Sequence, residues 1–245
     1  EKSADILIEA LKDETPRVKY GAIAALANVG DKKARKALEY VLESKSWEDR
    51  KHAIDAIGML ANPESKNAML KGLRDPSPQV REQTALSIGF FRDQRVVDEL
   101  IALLDDSVPQ VVAAAAYTLG TFQEEAAIPY LKDLLLEDFE ELNLVAIEAL
   151  GKIGVPDAIP ELIWFLDHPS PDIRSATRDT LDLFELKMVV EPIISSCLKD
   201  PKYQYLSKRF SSQKEAELKN MITTQLNIPE WAKMFLEDMK KKKKK

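Results

Sequence analysis

Apolar positions in this chain follow two rhythms at once. Locally they return every three or four residues, the spacing of one face of a helix. Over a longer range they return every 31 residues. Stepping by 31 in both directions from Ile88-Gly89 meets Leu26-Ala27, Ile57-Gly58, Leu119-Gly120, Leu150-Gly151 and Leu181-Asp182 without a slip. Leu11, Leu42, Leu73, Leu104, Leu135 and Leu166 form a column of leucines at the same step. Leu7, Leu38, Met69, Leu100, Leu131 and Leu162 form a second core column, and Val29, Leu60, Phe91, Phe122, Ile153 and Phe184 a third. Six copies without an insertion imply one structural tile used repeatedly.

Each tile predicts two helices. The first, as in Val97 to Leu104, carries apolar residues at helical spacing and ends at an acidic or polar residue. A turn follows, with Pro16, Pro78, Pro109 or Pro171 in four copies, suited to the first turn of a helix where a backbone N–H is not needed. The second helix runs through a small column of Ala22, Ala53, Thr84, Ala115, Ala146 and Thr177, which lets helices approach closely. Glycine near its end is expected to stop it. One helix pair cannot bury its own apolar face, so successive pairs must stack into a continuous core. The expectation is an all-α, right-handed α-solenoid of six to seven repeats forming one quasi-linear unit over residues 1–200. Capping helices over 201–239 and a disordered tail over 240–245 complete it.

The stretches "LRDPSPQVREQTALSIG", "LDDSVPQVVAAAAYTLG" and "LDHPSPDIRSATRDTL" resemble HEAT repeats. Their length and their Leu-x-Asp, Pro-x-Val-Arg and Leu-Gly pattern are similar to the short bacterial class of phycobilisome lyase HEAT-like repeats. The resemblance covers residue 3 to about residue 200. It implies a superhelical scaffold or adaptor for protein partners within a larger bacterial assembly. A bilin lyase-type subunit or a chaperone acting on a partner protein is the alternative.

Departures from the tile are candidates for function. The family's basic position, which commonly ties to the turn acid, reads Lys19, Arg50, Arg81, Val112, Asn143 and Arg174. Copies four and five lose the base but keep Asp106 and Glu137, leaving those carboxylates either solvated or free to meet a partner. On the third second-helix, Val80, Thr84, Ile88 and Phe91 share the core stripe, whereas Glu82, Leu86 and Phe90 lie about 200° away at 100° per residue. Those outward columns contain Lys51 and Asp55, then Leu86 and Phe90, then Ala113 and Tyr117, then Leu144, Glu148 and Lys152. An apolar centre with a charged rim is the anatomy of a protein-binding groove, expected on the concave wall. Alternatively these side chains fill gaps between adjacent second helices.

Composition narrows the classes. Net charge is −6, yet Lys240 to Lys245 supply six lysines, and without them 29 basic residues face 41 acidic ones. A body this acidic argues against nucleic acid, whose binding depends on Lys and Arg displacing counterions. The tail alone supports only weak membrane contact, since stable anchoring needs a second signal. No run of about 18 apolar residues is present. A cytoplasmic location is favoured, with the periplasm open if Glu1 follows a removed leader. Cys197, the single cysteine, falls in a leucine column of a seventh copy and is expected to be a buried thiol. The two histidines, His52 and His168, sit in different copies without a motif partner. The His-Glu pairs of HEAT-like deoxyhypusine hydroxylase are missing, as are a Cys/His zinc set, a phosphate loop and a nucleophile elbow. A non-enzymatic protein without cofactor, metal or small-molecule substrate is expected.

Overall fold

In the computed structural model, residues 2–184 are described, and every regular element among them is helical. The expected seventh copy with Cys197, the capping helices and the lysine tail lie outside the described residues. The chain divides into two compact units, one ending at Leu131 and the other beginning at Lys132, a division the uniform 31-residue spacing does not announce.

The first unit contains four helix pairs: α1 (Lys2–Ala10) with α2 (Pro16–Val29), α3 (Lys32–Val41) with α4 (Trp47–Leu60), α5 (Lys66–Gly72) with α6 (Pro78–Ser87), and α7 (Gln94–Ala102) with α8 (Pro109–Phe122). The second helices pack in sequence order, α2 on α4, α4 on α6 and α6 on α8. Beyond α9 (Ile128–Leu134), the second unit has α10 (Glu140–Ile153), α11 (Ile159–Trp164) and α12 (Pro171–Leu181), with α10 packed on α12. Both units are all-α solenoid in architecture.

The core follows the sequence columns. Leu26, Ile57, Ile88, Leu119, Leu150 and Leu181 are all fully buried, as are Ala53, Thr84, Ala115, Ala146 and Thr177 of the small column. The two threonines satisfy their hydroxyls within their own helices, Thr84 donating to Val80 O at 2.6 Å and Thr177 to Ile173 O at 2.7 Å. A polar atom is thereby buried with its hydrogen bond made. Each predicted proline opens its helix, and Asp31, Ser46 and Asp93 cap α3, α4 and α7 through their side chains.

The glycines depart from expectation. Gly58 and Gly151 lie inside α4 and α10, and a Cβ there would meet Ser87 at 2.8 Å and Thr180 at 2.7 Å. Their role is close packing of neighbouring second helices. Termination comes later, at the left-handed residues Gly30, Ala61, Gln123 and Gly154. Copy three differs from both patterns. Helix α6 stops at Ser87 and a 3-10 turn continues over Ile88–Phe91, followed by Arg92 at φ −56°. Close to that point Thr118 of α8 donates to Ala85 O at 2.8 Å.

Arginines strap consecutive copies together. Arg50 holds Asp75 of the next copy through two bonds of 2.7 Å, and donates to Ser44 O of its own turn at 2.9 Å. Arg81 repeats this one copy later, holding Asp106 at 2.7 and 2.9 Å and donating to Asp75 O at 2.9 Å. The turn acid also accepts the N–H two residues on, Ser77 for Asp75 and Val108 for Asp106, which shapes the turn. Asp106 is therefore committed within the fold and is not a carboxylate awaiting a partner. Where the base column reads Val112 no arginine extends the series, and the Glu137 side chain has no hydrogen bond or ion pair among the described residues.

Candidate functional site

The second helices bury one face and leave the other uncovered. In the first unit, packing of α4, α6 and α8 through their core and small columns turns positions 55, 59, 86, 90 and 117 away from the interior. The result is a set of large apolar side chains at the surface: Met59 is 67% exposed, Leu86 47%, Phe90 74% and Tyr117 49%. Phe90, in the 3-10 turn, is the most exposed of the four, whereas its neighbour Phe91 in the same turn is buried at 6%.

Polar groups border these side chains. Asp55 of α4 is exposed and accepts from Gln83 Nε2 of α6 at 3.2 Å, and the same amide reaches Ser87 Oγ at 3.0 Å. Lys51 and Ala113 are half-buried, at the edge of the face and closer to the neighbouring helices than the sequence columns imply. Met59 is not among the residues expected from the sequence; it lies 31 positions before Phe90 and four after Asp55 on α4, and that spacing is the signal that finds it.

In the second unit, Leu144, Glu148 and Lys152 lie along α10 and line an open groove of about 560 Å³, closed on the other side by Asp179 and Leu183 of the α12 copy. Leu183 is 69% exposed. The expected residues thus form two sets, Lys51, Asp55, Leu86, Phe90, Ala113 and Tyr117 in the first unit and Leu144, Glu148 and Lys152 in the second. Each set lies on exposed or half-buried positions of second helices.

The histidines serve the fold. The His52 ring packs on Tyr20 with centroids 4.0 Å apart. His168 stands in the turn-acid column and accepts the Ser170 N–H through Nδ1 at 3.1 Å, doing for its turn what Asp75 does for another. Among the described residues, no three His, Cys, Asp or Glu side chains are grouped closely enough to hold a metal ion. No helix among them is long and apolar enough to cross a membrane.

The family model described as HEAT repeats matches residues 4–77 and 66–142, and that described as the PBS lyase HEAT-like repeat matches residues 144–168. No curated protein sequence matches the chain. Among solved structures, the chain is similar to the complex of CpcE and CpcF of phycocyanin lyase from Nostoc sp. PCC7120, with 21% identity and a TM-score of 0.55 over 97% of this chain and 94% of that one. A designed armadillo repeat protein in complex with the peptide (KR)4 is similar over 73% of this chain and 98% of its own, at 19% identity and a TM-score of 0.54. An engineered protein is similar over 79% and 97% respectively, at 18% identity and a TM-score of 0.52. At these identities the likeness is one of fold.

Proposed function

The chain belongs to the HEAT-repeat family, and from that premise we propose that it is a non-catalytic interaction module binding a segment of a partner protein on the exposed face of its second helices. The observation that carries this reading is the run of Met59, Leu86, Phe90 and Tyr117 on consecutive second helices, each large, apolar and outside the core. Single exposed apolar residues are ordinary on protein surfaces, but several on adjoining elements with a polar border resemble the anchors of a binding face. The solenoid supports the reading at the level of architecture, since the designed armadillo protein of similar fold holds a peptide. In the second unit, Leu144 and Leu183 beside Glu148 and Asp179 offer a comparable amphipathic lining.

The test is affinity purification of the protein from its native host with crosslink mapping, repeated with Leu86→Asp and Tyr117→Asp. Crosslinks to α4, α6 and α8 that vanish in a variant of unchanged urea midpoint support the reading. Equal recovery of the partner by folded variants refutes it. A second reading, a subunit of a bilin lyase, is favoured by the PBS lyase HEAT-like match at residues 144–168 and by the extent of the likeness to the CpcE and CpcF complex. Incubation with bilin and a phycobiliprotein separates the two, because chromophore attachment would replace the non-catalytic reading.

A further inference from the structure

A cavity of about 570 Å³ opens between the first helices α1 and α3, away from the face proposed to bind a partner. Leu11, Ala37 and Val41 contribute apolar lining, Lys12, Lys33 and Lys36 line it beside them, and Glu43 and Asp49 are the carboxylates on its wall. Tyr40, 80% exposed, stands at one side. At the base, Lys19 is engaged with Asp49 at 3.0 Å.

The repeat supplies its own control. The gap between α3 and α5 is the same feature one step of 31 later, and there Glu43, Glu64 and Asn67 stand where the first gap has Lys12, Lys33 and Lys36. The fold therefore demands the gap but not the lysines. Lys12, Lys19, Lys33 and Lys36 line this one gap against two carboxylates, Glu43 and Asp49, in a chain whose net charge is −6. Two of them have ion pairs that lie at the surface. Lys12 meets Glu9 at 2.7 Å with both side chains at least 70% exposed, and Lys33 meets Asp5 with both more than half exposed. Exposed pairs of this kind contribute little, so an incoming anion can compete for them. Lys36 has no ion pair among the described residues.

We propose that this cavity is a binding site for an amphiphilic carboxylate, an apolar body lodged against Leu11, Ala37 and Val41 with its anionic end among Lys12, Lys33 and Lys36. The volume is that of a small-molecule site, and an apolar lining beside an excess of lysine over carboxylate complements an apolar tail with an acidic head. This departs from the sequence-based expectation of no small-molecule ligand and does not rest on the partner-binding reading.

Dodecanoate, below its micelle concentration, is the probe, and isothermal titration calorimetry of the full chain the measurement. Dodecanoate binds, while dodecan-1-ol and dodecyltrimethylammonium bind at least about tenfold more weakly. The double variant Lys12→Glu with Lys36→Glu weakens dodecanoate by about tenfold or more, and added salt weakens the wild type. Arg74→Glu in the following gap, whose partner Glu99 lies outside the first cavity, leaves affinity unchanged. Ala37→Phe keeps every charge but fills the lining, and it also loses the ligand; circular dichroism confirms that each variant is folded. Absence of dodecanoate binding, equal binding of the alcohol, or affinity indifferent to the lysine reversals and to Ala37→Phe overturns the proposal.

Discussion

Arg81 reaches from the start of α6 to Asp106 in the following turn and grips both carboxylate oxygens, at 2.7 and 2.9 Å, with the Asp106 side chain only 8% exposed. Its remaining nitrogen ties down Asp75 O and Pro76 O in its own turn, so one side chain joins two copies. Arg81→Ala leaves a nearly buried carboxylate without its partner. The expected loss is about 2–3 kcal/mol in urea denaturation. Arg81→Lys recovers only part, because an ammonium cannot reproduce the planar two-point contact.

The same pair predicts a pH dependence. Burial pushes the Asp106 carboxyl upward, but the Arg81 bonds and the Val108 N–H together outweigh it and hold the group below the ordinary carboxylate range. A depressed folded pKa means that the stabilisation is fully present above the unfolded value and is lost as pH falls through the folded one. Wild-type stability should therefore decline below about pH 4. Asp106→Asn starts lower at neutral pH and declines less steeply on acidification, as read from urea midpoints across the acid range.

Two glycines should respond oppositely to alanine. At Gly58 the new methyl meets Ser87 Cβ at 2.8 Å and Ser87 O at 3.1 Å, and a backbone oxygen of the adjoining helix cannot swing aside. Gly58→Ala costs about 1–3 kcal/mol despite alanine's better helix propensity. At Gly89 nothing stands within 4 Å, and Gly89→Ala is neutral or stabilising by about 0.5 kcal/mol through the unfolded chain. Thermal melts of the two variants side by side provide the check.

The repeat made most of the fold legible. Columns such as Ile57, Ile88 and Leu119 alternate with outward columns such as Asp55, Leu86 and Tyr117, and the structure buries the first and exposes the second. Periodicity encodes that separation because every copy must present the same face to its neighbour. What it does not encode is chemistry particular to one copy. The 3-10 turn at Ile88–Phe91 belongs to copy three alone among the second helices described, and the bond from Thr118 to Ala85 O beside it joins residues 33 positions apart. The arginine straps escape a reading copy by copy for a related reason. Asp106 has Val112 in the base position of its own copy, but its partner Arg81 stands 25 positions earlier, in the preceding copy. The lysine-lined gap is not legible in the repeat because the positions of Lys12, Lys33 and Lys36 read Glu43, Glu64 and Asn67 one copy later.

Phe90 and Phe91 give the sharpest test of surface against core, since adjacent and identical side chains have opposite environments, 74% and 6% exposed. Truncating Phe91 to alanine removes a buried ring from the end of copy three and costs about 3 kcal/mol or more. Phe90→Asp places a charge where solvent already reaches and should shift stability by no more than about 0.5 kcal/mol. If the proposed function holds, the effects on binding run the other way. Phe90→Asp abolishes partner capture while the urea midpoint stays at the wild-type value, and Phe91→Ala weakens capture only in proportion to the unfolded fraction. A large stability loss from Phe90→Asp would instead assign that ring to packing between second helices and remove it from the binding face.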